Sequence, residues 1–236
     1  MTDKADRYRH LPLIIAAAAV IVRVLYLIEV SGMPGFEHPM VDEKWHWEWA
    51  ASIINDSFFG AGDWFRAPLY PYFLALLHWV SGASVFWAKF LQVFLCGGTA
   101  FFIYRLAEHL FGRTAAIASG LVYAFYGTLI FYESMFLIPV LFVMLVVWGM
   151  YRLIAYEDSQ AWTTWAATGL IFGLAAISRP NILLVVPFLL LWLFLKRHRT
   201  MDWKPRLRLP LLVLAGAVIS TAPPQIRTAA APVADT

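Results

Sequence analysis

Long apolar runs constrain this chain more than any other feature of it. Leu11–Val30 is about as long as a bilayer crossing, which needs roughly 20 residues at 1.5 Å each to span about 30 Å of hydrocarbon. Further runs follow at Val85–Leu106, Thr114–Tyr132, Phe136–Ala155, Trp162–Ser178, Ile182–Leu195 and Leu209–Ala222, of which Ile182–Leu195 is short. The expected fold class is therefore all-α: a polytopic transmembrane helical bundle of about seven spans, forming a single membrane domain over residues 1–236. Ala67–Val80 is apolar but too short to cross, and Pro68 and Pro71 stand near its start. It is expected to lie on the bilayer surface or to re-enter it, within a periplasmic loop at 31–84 that carries interfacial helices.

Composition agrees. The chain is 61% hydrophobic and 14% charged, against about 25% charged in soluble domains, and its mean hydropathy is +0.67. The net charge of +3 does not point to nucleic acid, because the basic residues follow topology. With the N-terminus inside, Lys4, Arg7, Arg9, Arg105, Arg113, Arg152, Lys196, Arg197, Arg199, Lys204, Arg206 and Arg208 collect on the cytoplasmic side. Lys44, Arg66, Lys89, Arg179 and Arg227 collect on the other, a division of twelve to five. Arg23 lies well inside the first span, which is expensive unless it snorkels or finds a partner. The single cysteine, Cys96, allows no internal disulfide and no Cys-rich metal site. The first span lacks a small-residue cleavage site, so it does not resemble a cleaved signal.

Chemistry concentrates just after the first span, in Met40-Val41-Asp42-Glu43-Lys44-Trp45-His46-Trp47-Glu48-Trp49-Ala50. At 3.6 residues per turn Asp42, Trp45, His46 and Trp49 share one helical face, with Glu43 and Trp47 on the next. Such a helix would lie along the membrane surface with its indoles at headgroup depth and its carboxylates reaching a substrate. The bland alternative is a solvated loop with an ordinary aromatic belt. Polar residues also end three later spans, at Tyr132-Glu133-Ser134, Ser178-Arg179-Pro180-Asn181 and Pro223-Pro224-Gln225-Ile226-Arg227. Together with Asp42 and Arg66 they could surround one outward-facing pocket; otherwise each is a helix end with turn chemistry.

Several motifs are excluded. There is no internal repeat, P-loop or dinucleotide fingerprint. His46-Trp47-Glu48 matches half of a zinc-deaminase signature whose paired cysteines are missing, and no Asp-x-Asp pair exists to hold a metal. Gly169-Leu170-Ile171-Phe172-Gly173 is explained by close helix packing.

The order of the remaining features resembles a known family. The hydrophobic-Asp-Glu stretch leads to Phe65-Arg66-Ala67-Pro68-Leu69-Tyr70-Pro71-Tyr72-Phe73, then Tyr104-Arg105-Leu106-Ala107 with Leu110-Phe111-Gly112-Arg113. Tyr132-Glu133 follows, and Gly173-Leu174-Ala175 runs into Ser178-Arg179-Pro180. This is similar to the N-terminal part of the GT-C membrane glycosyltransferases, in the protein O-mannosyltransferase-like and aminoarabinose-transferase-like branch of bacterial inner membranes. The resemblance implies a polyprenyl-phosphate sugar as donor and a lipid, glycan or protein acceptor outside the cytoplasm, with membrane lipids as the other partners and no nucleic acid. It also implies an active-site acidic residue in the first outer loop, which Asp42 matches. Some relatives carry a second acidic residue, linked to metal binding, where Arg66 and Ala67 stand here, so a divalent metal is not supported and no other cofactor is expected. Relatives continue into more membrane helices and often a soluble domain, so the chain resembles a truncated or split enzyme.

These considerations set the expected roles. Asp42, with Glu43 beside it, is the candidate general base for the acceptor. The lipid phosphate leaves as a weak base, so cationic contacts suffice without a general acid. Arg179, with Arg66 or Lys89, is the candidate phosphate clamp, since a guanidinium grips two oxygens. Lys44, His46, Tyr70, Glu133, Asn181 and Arg227 complete the candidate substrate-binding set. A transporter or lipid flippase is the competing reading, and it would show ionisable residues at mid-membrane and broken helices related by a repeat. A non-catalytic membrane scaffold is the third.

Overall fold

The computed structural model of the chain describes residues 9–55, 67–157, 159, 161–185, 187–189 and 191, and among these every regular element is helical. The chain divides into two compact units. One comprises Met1–Asp63 with Leu69–Ala155, and the other Trp64–Pro68 with Tyr156–Thr236.

Among the described residues the first unit holds seven helices: α1 (Leu11–Ser31), α2 (Asp42–Asn55), α3 (Leu69–Val80), α4 (Val85–Phe111), α5 (Arg113–Phe125), α6 (Gly127–Glu133) and α7 (Ile138–Ala155). Three of them, α1, α4 and α7, are long and apolar enough to cross a membrane. Helices α5 and α6 meet that test as a pair bent by 56°, so the run Thr114–Tyr132, expected as a span, is interrupted at Tyr126. Among the described residues three helices, or four spans with the bent pair, are long and apolar enough to cross, so the expected count of about seven is not reached there. The second unit holds α8 (Trp162–Ser178), whose 17 residues sit at the lower limit for a span, and a 3-10 turn at Pro180–Leu184. The expected run at Leu209–Ala222, and much of Ile182–Leu195, lies outside the described residues.

Local sequence sets these boundaries. Prolines fall in the first turns of α1, α3 and α7 (Pro12, Pro71 and Pro139), where a helix has no partner for the missing N–H. Ser84 caps α4, its hydroxyl accepting from the Trp87 N–H at 3.4 Å. Gly112, with φ +83°, makes the corner between α4 and α5, a backbone conformation that suits glycine. Helix α3 spans only about 18 Å at 1.5 Å per residue, which is short of a crossing, as expected for a surface or re-entrant segment.

Cross-helix pairs give the direction of each crossing. The pair Ile15–Gly120 and the contact of Arg23 with Ala124 run α1 and α5 in the same direction. Val20 meets Gly97 while Phe36 meets Phe86, so α4 runs against α1. Gln92–Met135, Phe102–Trp148 and Arg105–Tyr151 rise together, so α7 is parallel to α4. The segments 32–55, 69–84 and 134–137 therefore gather at one end of the bundle. Arg105, Arg113 and Arg152 gather at the other.

The inner face of α1 is a stripe of Pro12, Ile15, Ala19, Arg23 and Leu27, while Leu13, Ile14, Ile21, Leu25 and Ile28 face outward as a lipid-facing side would. Arg23 is only 2% exposed and has found a partner. Its Nε donates to Glu133 Oε2 at 2.7 Å, and its Nη atoms donate to the carbonyls of Ala19 and Ala124 at 3.2 Å and of Tyr123 at 3.3 Å. Tyr123 donates its hydroxyl to Glu133 Oε1 at 2.7 Å, and its ring lies 4.8 Å under the guanidinium. Tyr123 and Ala124 occupy the last turn of α5, where helix carbonyls run out of backbone donors. Arg23 thus caps the break between α5 and α6, and Glu133, at the end of α6, neutralises it. The charge deep inside the first span is a joint in the frame.

Candidate functional site

The chain leaves α1 through a loop punctuated by Pro34, Gly35 and Pro39 and enters α2 at Val41. Val41 has φ +51°, an outlier for a β-branched residue, directly before the candidate base. Asp42 and Glu43 occupy the first turn of α2, where the helix dipole favours negative charge.

The two carboxylates point differently. Asp42 is exposed. Glu43 turns inward, its Oε1 accepting from the Phe136 N–H at 2.8 Å and lying 3.0 Å from Lys89 Nζ. Lys89 is 7% exposed, and its ammonium sits 4.9 Å from the Phe36 ring and 5.2 Å from that of Phe136. Trp47, one turn on, stacks on Phe136 with centroids 4.9 Å apart and planes 7° from parallel, and its ring also lies 4.5 Å from that of His78.

Deeper in, His46, Trp49 and Ala50 form the buried stripe of α2 against α3. The His46 ring meets Tyr70 edge-on at 5.2 Å. Tyr70 is fully buried and donates its hydroxyl to Gln92 Oε1 at 2.7 Å; burial, with the Glu43 charge added, holds its pKa well above the usual phenol range. The Gln92 amide donates to the carbonyls of Glu133 at 3.1 Å and Met135 at 2.8 Å. The turn 133–136 is thus fastened from three directions: by Arg23 and Tyr123 through the Glu133 carboxylate, by Gln92 through two carbonyls, and by Glu43 through the Phe136 amide.

Of the sequence-derived candidates, Asp42, Glu43, Lys44, His46, Tyr70, Lys89 and Glu133 belong to this unit and lie at or near the end that carries α2. Their surroundings separate them. Asp42 and Lys44 are exposed, Lys44 beside Glu48 at 3.7 Å, while His46, Tyr70, Lys89 and Glu133 are buried and bonded within the frame or packed against it. Arg179 and Asn181 are exposed in the second unit, around the end of α8. Arg66 and Arg227 lie outside the described residues. Gln92 and Phe136 were not among the candidates. Gln92 carries a signal, since it stands three residues after Lys89 inside an apolar run, where a polar side chain needs a partner. Phe136 contributes its backbone N–H and a ring in an aromatic-rich sequence, and nothing in the sequence marks it. Among the described residues no group of three or more His, Cys, Asp or Glu is arranged to hold a metal ion.

Apolar crossings, a charge neutralised inside the bundle and a polar helix pair at one end define a multi-pass α-helical membrane protein. The family model described as dolichyl-phosphate-mannose-protein mannosyltransferase matches residues 66–226, more than half of the chain, and the chain belongs to that family, whose members are membrane glycosyltransferases of the GT-C type. Asp42 lies N-terminal to the matched residues. No curated protein and no solved structure matched.

Proposed function

We propose that the protein transfers a sugar from a polyprenyl-phosphate donor to an acceptor on the extracytoplasmic face of the cell membrane, with Asp42 as general base. The observation that carries this reading is the position of Asp42, an exposed residue at the strained entry to a helix that is itself pinned to the bundle. The acceptor oxygen attacks the anomeric carbon, the bond from that carbon to the phosphate oxygen breaks, and polyprenyl phosphate departs. The acceptor proton passes to Asp42. Arg179 is the proposed contact for the departing phosphate, as an exposed guanidinium with two prongs. The division of basic residues supports placing α2 outside, since Arg105, Arg113 and Arg152 gather at the opposite end of the bundle.

The family description supports mannose as the first sugar to test. Membranes containing the full protein and its native acceptors would be given radiolabelled polyprenyl-phosphate mannose. The expected result is label in a non-donor product, matched mole for mole by released polyprenyl phosphate. Movement of intact donor across the bilayer without cleavage would contradict the proposal and describe a flippase.

A further inference from the structure

We infer that Glu43, although adjacent to the proposed base, is a positioning residue that acts through Lys89 and the Phe136 backbone and takes no proton from the acceptor. The inference rests on the reading of Asp42 as the base.

The geometry separates the two carboxylates. Both partners of Glu43 Oε1 belong to the bundle: Lys89 on α4 at 3.0 Å and the Phe136 N–H, just before α7, at 2.8 Å. A base must accept a proton and become neutral. Were Glu43 to do so, Lys89 would lose the counter-charge that Glu43 supplies while buried against the Phe36 and Phe136 rings. Breaking a buried pair in that way is strongly unfavourable, because the remaining charge is left uncompensated in a poorly solvating site. Asp42, by contrast, is an exposed residue, so its change of charge would take place at the surface rather than inside the bundle.

What Glu43 can do is fix the first turn of α2. Consecutive Cα atoms are about 3.8 Å apart, so a tether on residue 43 sets the position of residue 42 closely. The tether is reinforced one turn on, where Trp47 stacks on the same Phe136 whose amide Glu43 holds. Val41 is held at positive φ immediately before. A strained entry and a two-point anchor thus bracket Asp42 from either side. If the anchor slackens, the base moves relative to an acceptor bound elsewhere, and small displacements of that kind slow a reaction by large factors.

The test is a double-mutant cycle on turnover in the full protein, with radiolabelled polyprenyl-phosphate mannose and native acceptors. Glu43→Gln and Lys89→Met should each lower kcat about ten- to a hundredfold with little change in donor KM. The double variant should be no slower than the worse single one, because both remove the same tether. Lys89→Arg, which keeps the charge, should recover most of the lost kcat. If Glu43→Gln is as inactive as Asp42→Asn while Lys89→Met turns over normally, Glu43 is catalytic and the inference is wrong. If the variants lower only Tm and leave kcat of the folded protein unchanged, the pair is merely structural and the inference is again wrong. Near-normal turnover by Asp42→Asn would instead overturn the reading of the base. An inactive Asp42→Asn beside normal Glu43→Gln and Lys89→Met would sink the positioning role alone.

Discussion

At the scale of single residues, environment decides what each titratable group can contribute. His78, on α3, packs against Trp47 and is half-buried, and burial lowers its pKa below the ordinary histidine value of about 6.5. A depressed folded-state pKa means that the native state prefers the neutral ring. The stability this contributes is fully present above pH 6.5 and is lost as pH falls through the lower folded value. Thermal unfolding of the purified protein between pH 7.5 and 5 should therefore show a larger fall in Tm for wild type than for His78→Phe, which cannot be protonated. Parallel curves for the two would show that His78 charges without penalty. Sequence alone marked the aromatic and polar residues around Asp42 as a cluster, and most of them do meet. It did not show which carboxylate faces the bundle, because helical periodicity orders the faces without saying which one finds a cation.

At the scale of elements, close approach between helices rests on particular small residues. A Cβ at Gly97 would come 2.6 Å from Val20 Cγ2, and valine is stiff at χ1, so α1 and α4 would have to separate. A Cβ at Gly98 would meet only Met144 Cγ at 3.9 Å, an ordinary contact with a flexible side chain. Alanine gains about 1 kcal/mol over glycine in helix propensity, whereas overpacking costs about 1–3 kcal/mol. Gly97→Ala should thus lower stability by about 1 kcal/mol and Gly98→Ala should leave it equal or higher, as read by thermal unfolding in detergent. The reverse order would contradict the packing described.

The Arg23 joint makes a sharper prediction at the same scale. Arg23→Leu leaves Glu133 without its counter-charge and removes the donors held by the Tyr123 and Ala124 carbonyls. Loss of one partner of a buried pair costs about 3–5 kcal/mol, so this variant should be poorly recovered in folded form. Arg23→Leu combined with Glu133→Gln should recover part of the loss, measured as the monodisperse fraction on size exclusion; no recovery would mean that capping of the α5 carbonyls, not charge pairing, dominates. That Arg23 needed a partner was legible from its place in an apolar run. The identity of the partner was not, because it lies 110 residues away across a break in a helix that periodicity presents as continuous.

At the scale of the whole molecule, apolar runs and the placement of basic residues conveyed the membrane-helical architecture, and α1, α4, α7 and α8 begin and end near the expected boundaries. The kink between α5 and α6 was less visible, its one local mark being Gly127 at the break, while the donors to the carbonyls left open there come from Arg23 on another helix. Family membership joins this architecture to glycosyl transfer, while the assignment of the base rests on one exposed residue, Asp42, at the start of α2. Asp42→Asn tests that assignment most directly, because asparagine is nearly isosteric and cannot take the proton. In membranes containing the full protein, with polyprenyl-phosphate mannose as donor, the variant is expected to bind donor as wild type does and to lose turnover by about a hundredfold or more. Turnover within a few-fold of wild type, at equal amounts of folded protein, would contradict the account.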